Sequence, residues 1–395
     1  MARRAADFGV EIDGTIRFNL PTAMRRKDVI VGGIVNGIYG ALERRKEAID
    51  FVRGEGRFVN EHEIDTGDRR ISFAKAIIAT GARNTTPSID GLTGVDYLTN
   101  RTALQLNALP SRLVIIGGGY IGIEFAQMYA RFGTRVTLLG RNKQLAPGED
   151  SELADLLANY LREEGIAVQT NVPVVRVRQD GSEKVVTALL DGVESDFACD
   201  ALLLAAGRVG NTDSLGLAQA GVTTHGKGFV EVSAQLQSSQ PHIWAIGDVK
   251  GGAMFTHVAT YDGPMAALNA VKGLGRTVDY RVVPRAIFSS PTLAAVGLTE
   301  AQARAEGYEI KVGAVSADGG RSKAIGDSRG RLKAVVKADD GEILGFHILA
   351  PHGDDLLHEA VAAMYERGSI DRIGKSIHIH PTLSEMVKNA AKAAR

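Results

Sequence analysis

The sequence predicts an α/β protein that ends in a separate α+β domain. Three observations support this fold class. An apolar strand at 113–116 runs into a glycine-rich turn, a helix and a second strand at 135–139. Apolar runs at 202–206 and 243–246 also end at glycine, and continuously apolar strands are typical of sheets that are covered on both faces. From about residue 281 the pattern changes to paired strands followed by helices.

The turn at 117–122 has the spacing G-x-G-x-x-G, in which each glycine has a separate role. Gly117 makes the tight turn, Gly119 lets a pyrophosphate approach bare backbone, and Gly122 lets the helix pack closely on the strand. The N-terminus of the helix also offers N–H groups and the positive end of its dipole to a phosphate. We therefore predict a dinucleotide site here. The alternative is a glycine-rich turn that binds no ligand.

The residues after the second strand predict which dinucleotide is preferred. Folds that prefer NAD usually place Asp or Glu there to hold the ribose 2′-hydroxyl, whereas this chain has the run 140–143, Gly-Arg-Asn-Lys. A guanidinium is a good bidentate partner for a 2′-phosphate. The sequence thus favours NADPH over NADH, with Arg141 as the selecting residue and Lys143 as a second cation. The alternative for Arg141 is a solvated surface arginine.

The composition restricts the classes of partner. The 395 residues include 46 basic and 46 acidic side chains, so no general attraction to nucleic acid or to an anionic membrane is indicated. No run reaches the roughly 18 apolar residues of a membrane-spanning helix, and without a signal-peptide pattern we expect a cytoplasmic protein. The single cysteine, Cys199, excludes an internal disulfide. Because it leads into a buried strand, we expect an inert core thiol.

Glycine recurs at the carboxyl ends of three apolar strands, at Gly81, Gly207 and Gly247. At such a position glycine permits the close approach of a ligand. The alternative is that these glycines only end three strands. Together with the turn at 117–122, they predict two nucleotide-shaped ligands.

The remaining elements follow from hydrophobic periodicity and turn residues. We predict a helix around 25–45 and a meander of short strands. A helix at 151–165 carries leucines on one face, and we expect the three strands after it to complete the same βαβ unit. The C-terminal domain should contain an antiparallel pair and two helices. The predicted segments, in the same order, are strands at 50–53, 56–59, 63–65 and 70–73, strands at 167–170, 174–177 and 185–190, the pair 331–336 and 343–348, and helices at 354–367 and 383–394.

A histidine cluster lies in the segment 377–385. The alternation of residues predicts that His378 and His380 lie on the same side of an extended segment. Thr382 and Glu385 have the spacing of a capping box for the last helix. Glu385 is also placed to accept a hydrogen bond from His380 and fix its tautomer, which would make a general acid–base pair. The alternatives are a purely structural cap and a two-histidine zinc site, which needs a third protein ligand.

The ordered set of motifs resembles the pyridine nucleotide-disulfide oxidoreductases, flavoproteins that include dihydrolipoamide dehydrogenase, glutathione reductase and mercuric reductase. The resemblance covers nearly all of the chain. The run 136–142 is most similar to the mercuric reductase version of the nucleotide-selecting loop, whereas the run 378–385 follows the dehydrogenase version. The motifs that carry it are Ala79-Thr80-Gly81, Gly117–Glu124, Ala206-Gly207-Arg208, Gly247-Asp248 and His378–Glu385.

The resemblance implies three domains and two cofactors. Residues 1–100 with 232–280 would form the FAD-binding domain, 101–231 the NAD(P)-binding Rossmann domain and 281–395 the dimerisation domain. FAD would lie by Thr80 and Gly81, and Asp248 would hold its ribitol chain. The stretch 254–257, which ends at His257, would open a helix whose N-terminus faces the pyrimidine edge of the flavin.

For the second cofactor, the resemblance implies that the glycines of the turn hold the pyrophosphate of NADPH, while Glu124 and Gly207 flank its nicotinamide half. His380, paired with Glu385, would act across a homodimer interface. The family normally opens with a first G-x-G-x-x-G and a helix that bears C-x-x-x-x-C, and the present sequence begins after both. The FAD-binding domain is therefore expected to be incomplete, and disulfide reductase activity of this chain to be absent.

The function implied by the resemblance is that of an FAD-dependent oxidoreductase. Hydride would pass from NADPH to the flavin, and electrons would continue to a small-molecule disulfide or a metal ion, with His380 handling protons. Two alternatives remain open. One is a non-catalytic NADPH-binding remnant, and the other is a diaphorase that reduces quinones, oxygen or Cu(II) without cysteines.

Overall fold

The chain forms two compact units in the computed structural model, which describes residues 2–395. The larger unit contains the residues up to 21, residues 87–206 and residues 281–395. The smaller unit contains residues 22–86 and 207–280. The finer division into three domains at residues 100, 231 and 280 stays a prediction.

The elements are numbered along the chain. Those before residue 140 are α1 (Leu20–Glu43), β1 (Arg57–Asn60), β2 (Glu63–Asp65), β3 (Arg70–Ser72), β4 (Ala76–Ile78), β5 (Ala82–Asn84), α2 (Asn100–Ala103), β6 (Arg112–Ile116), α3 (Tyr120–Phe132) and β7 (Arg135–Leu139). Those from 151 to 272 are α4 (Ser151–Glu163), β8 (Ala167–Gln169), β9 (Val174–Asp180), β10 (Glu183–Leu190), β11 (Val193–Cys199), β12 (Ala201–Leu204), β13 (Arg208–Gly210), β14 (Thr224–His225), β15 (Phe229–Val230), β16 (Ile243–Ala245) and α5 (Thr256–Lys272).

The C-terminal elements are β17 (Arg285–Ile287), β18 (Thr292–Gly297), α6 (Glu300–Ala305), β19 (Ile310–Ser316), α7 (Gly320–Ala324), β20 (Arg331–Lys337), β21 (Ile343–Ala350), α8 (Gly353–Leu356), α9 (His358–Tyr365), α10 (Asp371–Gly374) and α11 (Ser384–Ala393). Three short 3₁₀ helices cover Ala2–Phe8, Leu92–Gly94 and Gly247–Lys250.

A four-stranded parallel sheet forms the centre of the larger unit. Its strand order is β12-β6-β7-β8, with Ile115 beside Leu138 and Leu203. The apolar face of α4 is buried as predicted, with Leu153, Leu157 and Leu161 in the same core as Ile115. The predicted βαβ arrangement around the glycine turn is therefore confirmed, because consecutive parallel strands are joined by a covering helix.

The strands after β8 were assigned to the wrong sheet. The strands predicted at 174–177 and 185–190 are the parts of β9 and β10 that pair with β11 in a separate antiparallel sheet. The turn between β10 and β11 explains why these strands form an antiparallel sheet of their own. Asp191 and Gly192 both have positive φ, the conformation of a two-residue hairpin turn in which Asp-Gly is a favoured sequence. A separate difference concerns the strand predicted at 50–53, because this segment is irregular in the structure.

The C-terminal region is a five-stranded antiparallel sheet with helices against it, so the α+β prediction is confirmed. The strand order is β17-β18-β21-β20-β19, and the predicted antiparallel pair is β20 with β21. Every residue of β21 is buried. The helix predicted at 354–367 is divided into α8 and α9, which meet at Leu357, and the last helix is α11.

The smaller unit contains a second parallel pair, β16 beside β4. The predicted meander is present as the antiparallel sheet β1-β2-β3. β16 is fully buried, as its apolar sequence predicts, but Ile77 in the middle of β4 is 39% exposed, so β4 is not covered on both faces. α5 packs beside β16 and contributes Ala266 and Ala270 to a small core with Trp244.

The helix predicted around 25–45 is α1, which begins five residues earlier, at Leu20. Leu20 is buried, whereas Val29, Ile34 and Ile38 are more than half exposed. None of the helices found within residues 2–395 is long and apolar enough to cross a membrane.

Candidate functional site

The turn between β6 and α3 has no room for side chains at two of its glycines. A Cβ atom on Gly117, whose φ is +127°, would overlap the carbonyl group of Ala205. A Cβ atom on Gly122 would overlap the carbonyl oxygen of Gly117 and lie 3.4 Å from Cδ1 of Leu138. Gly122 is therefore required by the packing of α3 on the sheet, and Gly117 by the tight turn beside Ala205, as the spacing predicts.

Gly119 differs from Gly117 and Gly122, because it has room for a side chain. Its φ is −87°, and a Cβ atom there would meet nothing within 4 Å. Gly119 is the N-cap of the 13-residue helix α3, and no side chain within residues 2–395 caps this helix end. Open space thus lies in front of the N-terminus of α3, where the dipole favours an anion.

Arg141, the residue predicted to select the nucleotide, lies two residues after the end of β7. Gly117 N–H donates to the carbonyl oxygen of Leu139 at 2.9 Å, so the end of β7 lies beside the glycine turn. A Cβ atom on Gly118 would lie 3.3 Å from the Cα atom of Gly140. Arg141 and Lys143 are both exposed on this loop. The loop can therefore place a cation next to a ligand bound at the turn.

Glu124 lies one turn into α3 and contacts the C-terminal region within the larger unit. Its Oε1 atom accepts a hydrogen bond from the N–H of Phe288 at 2.9 Å. Burial raises the pKa of Glu124 above its ordinary value, and the Phe288 N–H opposes this shift. Three residues further on, the Gln127 amide exchanges two hydrogen bonds with the backbone of Ser290. Glu124 is thus held in place by the backbone of a neighbouring segment.

In the smaller unit, the end of β4 is fixed by a residue that the sequence did not reveal. The Thr80 hydroxyl donates to the carbonyl oxygen of Asn211 at 2.9 Å, and the Asn211 amide donates back to the carbonyl oxygen of Thr80 at 2.9 Å. The N–H of Asn211 donates to the carbonyl oxygen of Gly81. Asn211 therefore holds Gly81, with its positive φ of +71°, in a defined position.

A cavity of about 320 Å³ lies between the ends of β4 and β16, and small residues form most of its wall. A Cβ atom on Gly247 would come within 3.1 Å of the Cβ atom of Ala259, and the φ of +67° at Gly247 favours glycine, so another residue would be strained at this point of the wall. Asp248 is the one charged residue of the lining, and its side chain is 24% exposed. The lining residues are Ala79, Gly81, Ile246, Gly247, Asp248, Met254, Thr256 and Ala259.

Arg208 is a second residue of the site that the sequence did not reveal. Its Nη2 atom lies 3.2 Å from Oδ2 of Asp248 and donates to the carbonyl oxygen of Ala82 at 2.6 Å. Arg208 begins β13, which pairs with β5. Gly207, just before it, is exposed with φ of +119°, and its carbonyl oxygen accepts from the N–H of Thr85. The Ala-Gly-Arg motif was a signal for this position, but nothing local in the sequence identified the Asp248 partner.

The helix predicted to open at residues 254–257 is α5, which begins at Thr256. Met254 and Thr256 line the cavity with Asp248. His257 is exposed and stacks on the ring of Phe255, with ring centroids 5.2 Å apart. The start of α5 therefore lies at the cavity.

The two histidines of the C-terminal segment make separate contacts. The Nδ1 atom of His380 lies 3.0 Å from Oε1 of Glu385, and the His380 side chain is 79% exposed. His378 is nearly buried, with Nε2 3.0 Å from Oε2 of Glu359. The predicted pair His380–Glu385 is thus present in the geometry, whereas His378 belongs to a different pair.

Glu385 also makes one of the two contacts of a capping box, the purely structural role that is the alternative to an acid–base pair. It accepts a hydrogen bond from the N–H of Thr382 at 3.0 Å, but the Thr382 hydroxyl bonds the carbonyl oxygen of Ile379 and the Ser384 hydroxyl instead of a backbone N–H of the helix. Only half of the capping box is therefore formed. The Thr382 N–H, followed by His380, lowers the pKa of Glu385 below its ordinary value. The described part of the chain contains no group of three or more His, Cys, Asp or Glu side chains placed to hold a metal ion.

Cys199 is buried at the end of β11. Burial raises the pKa of its thiol to about 11. Because the thiolate is the reactive form, this environment makes Cys199 unreactive near neutral pH. The expectation of a core thiol agrees with its position.

Comparisons with known proteins agree with the motifs. Residues 15–263 match the family described as pyridine nucleotide-disulphide oxidoreductase, and residues 283–391 match the dimerisation domain of that family. The dihydrolipoyl dehydrogenase of Geobacillus stearothermophilus is 34% identical over 399 residues, which cover 100% of this chain and 84% of that protein.

Two further proteins are similar along most of this chain. The mercuric reductase of Bacillus cereus is 35% identical over 342 residues, which cover 86% of this chain but only 54% of that protein, so this chain spans about half its length. A solved Cu(II) complex of the HOCl-induced flavoprotein disulfide reductase RclA from Escherichia coli has a TM-score of 0.89 and 31% identity. The matched region covers 96% of this chain and 87% of the RclA chain.

The glycine turn gives a matched pair of substitutions. Gly122→Ala should lower the free energy of unfolding by at least about 2 kcal/mol, because its methyl group overlaps the backbone of Gly117. Gly119→Ala should cost less than about 1 kcal/mol, because its backbone conformation suits alanine and the space is open. Urea unfolding followed by circular dichroism measures both. Equal midpoints for the two variants would contradict the described packing.

Proposed function

The chain belongs to the pyridine nucleotide-disulphide oxidoreductase family, and from this premise we propose that it is an FAD-dependent oxidoreductase that takes electrons from NADPH. One observation carries the proposal. The bare backbone of Gly119 lies in open space at the N-terminus of α3. At Gly117 and Gly122, in contrast, neighbouring backbone atoms leave no room for a side chain. This is the arrangement that a pyrophosphate requires.

The cavity in the smaller unit supports FAD as the second ligand. Small residues at Gly81, Gly247 and Ala259 leave space beside a single carboxylate, Asp248. A carboxylate accepts hydrogen bonds from the hydroxyls of a ribitol chain, and Arg208 holds this one in position. When bound, FAD would supply the redox chemistry that the side chains themselves lack.

The electron acceptor that we propose is a metal ion. The chain carries one cysteine, Cys199, which is buried, so its own residues cannot form a dithiol relay. An acceptor that receives electrons without a protein thiol fits this chain better than a disulfide. Two of the similar proteins are named as a mercuric reductase and as a Cu(II) complex, and both names refer to metal ions. A diaphorase that reduces quinones is the second candidate, favoured by the same lack of paired cysteines.

One purification tests the function. We expect a yellow protein with the visible absorbance of a flavin, which oxidises NADPH when Cu(II) or Hg(II) is added. Cys199→Ala should keep this activity, because burial raises the pKa of this thiol and leaves it unreactive near neutral pH. Gly119→Ala should fold but lose NADPH binding. A colourless wild-type protein that still binds NADPH would contradict the proposal and support a non-catalytic remnant.

Arg141 should set the preference for NADPH. Arg141→Glu replaces a cation that pairs with the 2′-phosphate by an anion that repels it, and charge-assisted hydrogen bonds contribute about 1.5–3 kcal/mol. We expect the ratio of the dissociation constants for NADH and NADPH to fall by about 10-fold or more. Arg135→Glu is the control, because this exposed arginine lies at the opposite end of β7. Unchanged selectivity in Arg141→Glu would exclude Arg141 as the selecting residue.

His380 should carry the proton-transfer role. His380→Asn should lower the turnover number by roughly 10²-fold, as expected for the loss of a general acid–base. His378→Asn is a matched control, because His378 also lies 3.0 Å from a glutamate but is nearly buried. It should reduce stability and leave turnover within about twofold. Steady-state kinetics with NADPH and Cu(II) measure both, and equal losses of turnover would refute the assignment.

We also propose that two copies of the chain associate through the C-terminal domain. The match to a dimerisation domain supports this, and so do the side chains of Ile377, which is fully exposed, and Ile379, which is 78% exposed beside the histidines. Interface cores are rich in such apolar groups. Ile377→Asp with Ile379→Asp should shift the sedimentation coefficient from dimer to monomer. A wild-type monomer at micromolar concentration would contradict the association.

A further inference from the structure

The 3₁₀ helix Gly247–Lys250, which carries Asp248, is held in place by one buried carboxylate, that of Asp262. Oδ2 of Asp262, on α5, accepts a hydrogen bond from the N–H of Gly247 at 3.1 Å. The same oxygen lies 3.4 Å from the Nζ atom of Lys250. One carboxylate oxygen thus contacts both the first and the last residue of this short helix.

The second oxygen of Asp262 is also occupied. The Tyr280 hydroxyl donates to Oδ1 of Asp262, and the Lys250 ammonium lies 4.6 Å from the centre of the Tyr280 ring. Asp262 is completely buried, and the Lys250 side chain is 5% exposed. Burying both charges has a large desolvation cost, and apolar side chains of similar volume often stabilise a core equally well. A role in fixing geometry accounts for charges at this position better than a role in stability.

The geometry points to a positioning role for Asp262 in flavin binding. We propose that Asp262 sets the backbone of the 3₁₀ helix so that the carboxylate of Asp248 faces the cavity, where it can accept hydrogen bonds from the polyhydroxylated chain of a flavin nucleotide. Asp248 and Gly247 line that cavity, and Nη2 of Arg208 lies 3.2 Å from the Asp248 carboxylate. Asp262 itself does not line the cavity. This inference rests on the proposed use of FAD.

A residue on the same helix provides a matched control. Asn269 lies two turns after Asp262 on α5 and is 6% exposed. Its amide makes three hydrogen bonds, to the backbone of Gln235 and of Arg276, and none to the 3₁₀ helix. Asn269→Ala therefore removes a comparable set of buried hydrogen bonds from α5 without releasing the backbone of Asp248.

The test is the affinity of the apoprotein for FAD, measured by quenching of flavin fluorescence, together with the visible circular dichroism of flavin at saturation. Asp262→Ala should raise the dissociation constant at least 10-fold and change the dichroism spectrum, because the flavin is held differently. Asn269→Ala should stay within twofold of the wild type and keep the spectrum, even with a similar loss of thermal stability.

A second variant keeps the test decisive if Asp262→Ala does not fold. The double variant Asp262→Asn with Lys250→Met retains a carbonyl oxygen that can accept from the N–H of Gly247. It also removes the Lys250 ammonium, which would lose its partner when the Asp262 carboxylate is replaced. It should bind FAD within about threefold of the wild type. Equal losses of affinity in Asp262→Ala and Asn269→Ala, or a 10-fold loss in the double variant, would overturn the positioning role alone. A wild-type apoprotein that binds no FAD would overturn the proposed function as well.

Discussion

The approach of α3 to the end of β6 is the constraint on which the rest of the site depends. Gly122 sits against the carbonyl oxygen of Gly117, and neither residue has space for a Cβ atom. This contact fixes the N-terminus of the helix at the carboxyl edge of the parallel sheet. It also leaves Gly119 in the open space in front of that N-terminus, and it brings the loop with Arg141 beside the same turn. A close packing contact thereby creates an anion site without any charged side chain in the turn.

The charged side chains around the candidate sites are held by fixed donors. Asp248 lies beside Arg208, Asp262 contacts the N–H of Gly247 and Lys250, and Glu385 accepts from Thr382 and His380. Each carboxylate therefore keeps a defined orientation before any ligand arrives. Preorganised polar groups lose less free energy on binding than groups that must first be ordered. The same arrangement explains why the affinity for a flavin should respond to a residue such as Asp262, which does not line the cavity.

The sequence predicted the features that local spacing determines. The three glycines of the turn, the leucine face of α4 and the antiparallel pair β20–β21 depend on residues that are close together in the chain. Arg208 and Asn211 were missed because their partners lie 40 and 131 residues away, at Asp248 and Thr80. The sheet of β9, β10 and β11 was assigned wrongly because apolar periodicity does not distinguish parallel from antiparallel strands. The Asp191-Gly192 turn was the local signal that distinguishes them.

The strand-end glycines leave space for two nucleotides, and a crystal structure of the protein grown with FAD and NADPH would show whether both bind there. We expect the NADPH pyrophosphate to accept hydrogen bonds from backbone N–H groups at Gly119 and the start of α3. We expect the flavin nucleotide in the cavity, with its hydroxyls bonded to the carboxylate of Asp248. Either nucleotide bound elsewhere, or side chains filling the space at Gly119 or beside Asp248, would refute this role of the glycines.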